Sequence, residues 1–180
     1  MQRCAWAEST DEYVAYHDEE WGTPLHGDDA LFERMCLEAF QSGLAWITIL
    51  RKRPAFRAAF AGFSIDAVAE FDADDEARLM ADAGIVRNRA KIAAAVRNAR
   101  TAQQQPVGLS ALLWSFAPPG PRTRPATLAD VPATSPESVA MARELKRRGF
   151  VFVGATTAYA LMQATGMVDD HVVTCFRATP

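Results

Sequence analysis

The 180-residue sequence has only three cysteines, Cys4, Cys36 and Cys175, scattered along its length. So sparse a set builds no disulfide framework of the kind that small secreted domains use, and reduced or metal-bound thiols fit it better. A long apolar run is also missing. The N-terminal MQRCAWAEST has no signal-peptide core, and nothing approaches the roughly 20 apolar residues of a membrane span. These absences lead to the expectation of a cytoplasmic chain with no membrane partner. Nor is there an excess of positive charge: 19 Lys and Arg stand against 22 Asp and Glu, a formal net charge of -3. Bulk electrostatics therefore does not draw this chain onto nucleic acid, and any DNA site must be a local patch. Alternating apolar and polar stretches, the mark of half-buried strands, are scarce.

What is present is apolar and helical. Hydrophobic residues make up 49% of the chain, ample for one large domain or two small lobes sharing a core. Alanine is abundant and apolar residues recur every three or four positions, which predicts an all-α fold. A first helix is expected from about Asp11 to Trp21, capped by Thr10 or Asp11 and stopped at Gly22. Asp28 and Asp29 open a second, with Leu31, Phe32, Met35, Ala39 and Phe40 as its apolar stripe, Glu38 beside that stripe and Cys36 as core. A third is read from Leu44 to Arg51, and Pro54 in the first turn of a fourth that ends near Gly62. Ser64 caps a short helix from Ile65.

Asp74 begins the helix DEARLMADA, Gly84 ends it, and after the connector GIVRN another helix starts at about Arg89, giving a helix, hairpin, helix unit over about 74–100. The proline-rich stretch from Ala117 to Thr127 reads as an exposed loop. Ser135 and Pro136 start a helix that ends in KRR before Gly149. The run at 150–153 reads as a buried connector into a helix from about Ala155 to Thr165, because no partner strand is evident.

Three groups of residues carry chemistry. His171 and Cys175 are four residues apart, so a helical tail would place both on one face as two ligands of one ion. Cys4 and His17 can complete a Cys2His2 set, but their spacing matches no compact zinc finger and equally permits a buried Cys4, an inert Cys175 and two surface histidines. Four protein ligands would close a tetrahedral zinc to water, which makes such an ion structural and argues against a zinc hydrolase. It would staple the two ends of the chain together.

Trp6, Tyr13, Tyr16, Trp21 and Trp46 stand within the first fifty residues. Aromatic walls suit a flat ligand, and a flipped base is recognised by stacking plus hydrogen bonds to its edge, for which Glu38 is the carboxylate of choice. An ordinary aromatic core with a solvated Glu38 accounts for the same residues. Around the hairpin Gly84 to Asn88 sit Arg87, Arg89, Lys91, Arg97 and Arg100 against the single acid Asp82, a basic segment within an acidic chain. A turn there, with the positive end of the second helix behind it, can present backbone N–H groups to a phosphate, although solvated arginines on helix hairpins are common without DNA.

Taken in order, RCAWAESTDEYVAYHDEEWG, LEAFQSGLAWITIL, AGIVRNRAKI, LKRRGFVFVG and DDHVVTC resemble the corresponding blocks of the DNA-3-methyladenine glycosylase I family from Arg3 to Cys175. The resemblance implies a two-lobed helical fold with a helix-hairpin-helix element, and zinc held by Cys4, His17, His171 and Cys175. It implies a base pocket of Glu38, Tyr16 and Trp46, with Trp6, Tyr13 and Trp21 nearby; the basic hairpin segment is where DNA contacts are expected, at Gly84, Arg87, Arg89 and Lys91. The family lacks the catalytic aspartate and Schiff-base lysine of related glycosylases. Monofunctional base release is therefore implied, by hydrolysis of the N-glycosidic bond of 3-methyladenine in double-stranded alkylated DNA to leave an abasic site; a monomer is expected. Ala90 departs from the glycine often seen in the family's hairpin. A non-catalytic DNA-binding module is the competing expectation.

Overall fold

A computed structural model describes residues 1–120 and 123–178. Among the described residues there are nine α-helices, three short 3-10 segments and no strand. Helix α1, Asp11–Glu19, starts where Thr10 Oγ1 accepts from the Tyr13 N–H at 3.2 Å. It ends two residues before the expected Trp21, because the N–H groups of Glu20 and Trp21 both turn back to the Tyr16 carbonyl, at 3.0 and 2.9 Å. Gly22 follows with φ +76°, and a Cβ there would lie 2.8 Å from His171 Nε2. Both facts require glycine.

Helix α2, Asp28–Gln41, is the axis of the molecule: every residue from Leu31 to Phe40 is buried. Its apolar stripe, Cys36 included, joins a core containing Phe56, Phe60, Phe63, Leu145 and Tyr159, with the Phe60 and Phe63 rings stacked at 5.3 Å. Truncating one such buried phenylalanine to alanine costs about 3–5 kcal/mol. Two charged residues of α2, Glu33 and Arg34, are buried in ion pairs. Glu33 accepts from Arg53 Nε at 2.6 Å and Arg57 Nε at 2.9 Å, and Arg34 pairs with Glu20.

Helix α3, Trp46–Ala59, replaces the two helices expected around Pro54. A mid-helix proline forfeits one backbone hydrogen bond and costs about 3 kcal/mol, but side chains on both sides of it tie the helix down. Arg51 pairs with Glu12, Lys52 donates to the carbonyls of Ala83 and Gly84, and Arg53 and Arg57 hold Glu33. Leu44 lies outside the helix and is exposed.

Ser64 caps α4, Ile65–Ala69, as expected. Asp72, not Asp74, caps α5, Ala73–Ala81, through a capping box, and Asn88 caps α6, Arg89–Gln103. Helix α7, Gly108–Trp114, was not anticipated. Its N-cap, Val107, offers no capping side chain, and Asp28 Oδ1 from α2 accepts from the Ser110 N–H at 2.8 Å instead; Leu109, Leu112 and Leu113 are buried at helical spacing. Ser135 and Pro136 open α8, Pro136–Arg147, and α9 runs Ala155–Ala164. The described part of 117–127 is irregular; residues 121 and 122 lie outside the described residues. In the connector before α9, Phe150 and Val153 are buried, whereas Phe152 is exposed with φ +55°. Asn98 clamps it, donating to Val151 O at 3.0 Å and accepting from Val151 N at 2.9 Å. Among the described residues no helix is long and apolar enough to cross a membrane.

A candidate base pocket beside a candidate metal centre

The two ends of the chain meet over α1. Phe176 N donates to Gln2 O at 2.9 Å, and Cys4, Val172 and Cys175 form a small cluster covered by Trp6 and Trp21. The segment from His171 to Cys175 is irregular with a single turn, not the helix whose one-turn spacing was expected to align its ligands. The turn closed by Cys175 N to Val172 O brings them together instead, with His171 Nδ1 3.6 Å from Cys175 Sγ. His171 Nδ1 is also 3.7 Å from Cys4 Sγ, and His17 Nε2 is 3.4 Å from Cys175 Sγ. All four ligand atoms lie within 4.8 Å of one another and all four residues are buried.

These separations fit a metal. A tetrahedron with metal–sulfur bonds near 2.3 Å and metal–nitrogen bonds of about 2.05 Å has sulfur–nitrogen edges of about 3.6 Å. The remaining ring nitrogens are engaged. His17 Nδ1 is 2.8 Å from Asp18 Oδ1, and His171 Nε2 is 3.2 Å from the Trp21 carbonyl oxygen. Such partners fix the tautomers that leave His17 Nε2 and His171 Nδ1 free to ligate. Arg3 grips Asp18 with three hydrogen bonds and holds its carboxyl down at about 2. Burial lowers His171 to about 4, so its ring stays neutral, and raises the Cys4 thiol to about 11, so that thiol ionises only against a cation.

The aromatic residues pack on the other side of this cluster. Trp6 meets Tyr13 edge-on at 5.7 Å, Trp21 at 5.2 Å and His17 at 5.4 Å, so one ring spans the metal centre and the wall of a cavity. That cavity, of about 470 Å3, is lined by all five predicted aromatics, Trp6, Tyr13, Tyr16, Trp21 and Trp46, together with Glu38. They are therefore not plain core, and Glu38 is not solvated: it is 6% exposed. Tyr13 has a structural task, its hydroxyl accepting from the free Ile47 N–H at the start of α3 at 2.9 Å. Trp46 leans on Tyr16 at 5.5 Å, and its buried Nε1 has no partner.

Glu38 and Arg34 are one turn apart on α2. Burial raises the Glu38 carboxyl to about 7, against the pull of the Arg34 charge. No donor among the described residues reaches the Glu38 carboxylate, so it opens unpaired into the cavity. Arg34 also stands over the Tyr16 ring at 5.3 Å and donates from Nη1 to the Tyr16 hydroxyl at 3.4 Å. Burial raises the Tyr16 pKa above its ordinary value, which keeps that hydroxyl a donor. Sequence reasoning missed the far wall, made by Gln41, Val131, Ala160, Gln163, Ala164 and Asp170. For most of these the signal was absent, since small and neutral residues carry no chemistry of their own.

At the α5–α6 turn, Gly84 donates its N–H to Asp82 Oδ1 at 2.7 Å, and a Cβ on it would meet Ala55 Cβ at 3.0 Å. Arg87 and Arg89 stand exposed at the start of α6. Lys91 corrects the expectation of a phosphate contact: it is buried, its ammonium donating to Phe40 O at 2.9 Å and Ser42 O at 2.7 Å, where it caps the C-terminus of α2. Arg97 and Arg100 likewise spend their Nε donors on the carbonyls of Gly149 and Ala69.

A family model described as methyladenine glycosylase matches residues 6–178. DNA-3-methyladenine glycosylase 1 of Escherichia coli (strain K12) is 45% identical over 179 residues, covering 97% of this chain and 96% of that protein. A crystal structure of 3-methyladenine DNA glycosylase I superposes with a TM-score of 0.94 at 43% identity, covering 99% of this chain and 100% of that one. A tyrosine-to-phenylalanine variant of such an enzyme, solved in complex with 3-methyladenine, superposes with a TM-score of 0.90 at 33% identity over 97% of this chain and 96% of that one. The chain belongs to the methyladenine glycosylase family and is an enzyme of the DNA-3-methyladenine glycosylase I type.

Proposed function

We propose that the protein is a monofunctional glycosylase of base excision repair that hydrolyses the N-glycosidic bond of 3-methyladenine in double-stranded alkylated DNA and leaves an abasic site. The observation that carries this is the unpaired, buried carboxylate of Glu38 within aromatic walls. The damaged base flips into the cavity, Glu38 accepts from its adenine edge, Tyr16 adds a polar contact and Trp46 stacks on the ring. Extruding a base costs a few kcal/mol. A hydrogen bond to a charged group returns about 1.5–3 kcal/mol and an aromatic stack about 0.5–1.5 kcal/mol. The cation of a 3-methyladenine nucleotide adds attraction to the ring faces and to Glu38, and an unmodified adenine forgoes it.

The donor set Cys4, His17, His171 and Cys175 fits Zn2+, which with four protein ligands is structural and takes no part in hydrolysis. It joins the two ends of the chain behind Trp6 and Trp21 and so fixes one wall of the pocket. Helices α5 and α6 with their turn, about 74–100, act as a helix-hairpin-helix element. The Gly84 turn and the start of α6 with Arg87 and Arg89 meet the phosphates, and Lys91 supports α2 from within. The whole chain acts as one domain and as a monomer. Titrating 3-methyladenine into the protein and following tryptophan fluorescence tests the pocket. Saturable quenching that weakens about tenfold or more in Glu38→Gln is expected, and equal affinity in wild type and variant contradicts the reading.

A further inference from the structure

A second buried carboxylate opens into the same cavity. Of the lining residues only Glu38 and Asp170 carry one. Asp170 is 6% exposed, and its Oδ2 accepts from the Tyr159 hydroxyl at 2.7 Å and from Gln163 Nε2 at 2.8 Å. Tyr159 and Gln163 stand one turn apart on α9, so one rigid helix face grips one carboxylate oxygen. No donor among the described residues reaches Oδ1. Ala160 and Ala164, also on α9, line the same cavity with small side chains.

The chemistry of the reaction gives that oxygen a use. The base of a 3-methyladenine nucleotide already carries the positive charge, so when its C1′–N9 bond breaks the bonding pair passes to N9 and the base leaves neutral. No acid is needed. Positive charge builds instead on the sugar, a water oxygen forms the new bond to C1′, and one proton of that water must go elsewhere. With Glu38 committed to the base edge, one other carboxylate remains in the cavity.

We propose that Asp170 is a further catalytic residue: its Oδ1 accepts the proton of the attacking water, and the carboxylate faces the positive charge on the sugar. The water supplies oxygen to C1′ and a proton to Asp170, the base keeps the bonding electrons, and the proton passes to solvent after release. The assignment rests on the placement of the base at Glu38 and Trp46. Without this role Asp170 is a tie between α9 and the turn before His171, and the two roles separate experimentally.

Single-turnover release of 3-methyladenine from methylated DNA is measured for wild type and Asp170→Asn, alongside affinity for free 3-methyladenine, metal content and thermal stability. General-base assistance contributes about 10²–10⁴-fold. The rate is therefore expected to fall about 100-fold or more, with free-base affinity unchanged within about twofold and metal retained. A rate within about threefold of wild type overturns the assignment, as does a parallel loss of rate, base affinity and metal. If Asp170→Asn does not fold, Tyr159→Phe decides: loosening the carboxylate lowers the rate several-fold at unchanged base affinity, and an unchanged rate overturns the proposal. Failure of the Glu38 placement registers separately, as unaltered free-base affinity in Glu38→Gln.

Discussion

His17 Nε2 and Cys175 Sγ lie 3.4 Å apart although 158 positions separate them in the chain. With Cys4 and His171 they bring the two ends of the molecule to one point, directly behind the tryptophans of the pocket.

That closure predicts one bound zinc per chain. Cys175→Ser removes a ligand whose partners stay buried, which for a chain of this size is expected to lower the melting temperature by about 10 °C. Thermal melts and elemental analysis with and without a chelator check this. Because Cys36 belongs to the main core and not to the ligand cluster, Cys36→Ala is expected to keep its metal; loss of metal in Cys36→Ala and not in Cys175→Ser would contradict the assignment.

A second prediction separates Lys91 from its basic neighbours. The Lys91 ammonium holds the Phe40 and Ser42 carbonyls, so Lys91→Met is expected to cost about 1–3 kcal/mol of stability and to leave the salt dependence of DNA binding unchanged. Arg87→Ala or Arg89→Ala should weaken DNA binding at unchanged stability and reduce the salt slope by about one. Denaturant unfolding and binding at several salt concentrations test both arms.

Glu38 gives the pH dependence. Its carboxyl is raised to about 7 from an ordinary 4.5, so between those values the folded chain binds more protons than the unfolded one. Stability therefore falls as pH rises through this window, by on the order of 3 kcal/mol in all. Glu38→Gln removes the penalty: the variant should melt above wild type at pH 8 and converge with it toward pH 5. In activity the same titration gives wild type an acid limb near 7. Parallel melting curves of wild type and variant across this range would refute the assignment.

What the sequence made legible follows from how locally each feature is encoded. Thr10, Ser64 and Ser135 cap their helices through N–H groups three residues away, so those starts could be read. Pro54 misled because the ion pairs that keep α3 whole reach it from Glu12, Glu20 and Glu33, far off in sequence. Helix α7 has no local cap to announce it, because the side chain that serves its first turn is Asp28 on α2. The Cys4, His17, His171 and Cys175 cluster and the aromatic wall of the cavity were legible through residue type and resemblance. Lys91 looked like a DNA contact because charge alone does not say whether an ammonium meets a phosphate or a carbonyl. Asp170 was passed over beside His171, since only the fold brings α9 across from α2.

The most direct test of the account is chromatography of the bases freed from methylated DNA by purified wild type and by Glu38→Gln. Selective release of 3-methyladenine over 7-methylguanine by wild type, lost in a folded and zinc-loaded Glu38→Gln, is the predicted result. Undiminished release by that variant would contradict the central role given to the buried carboxylate.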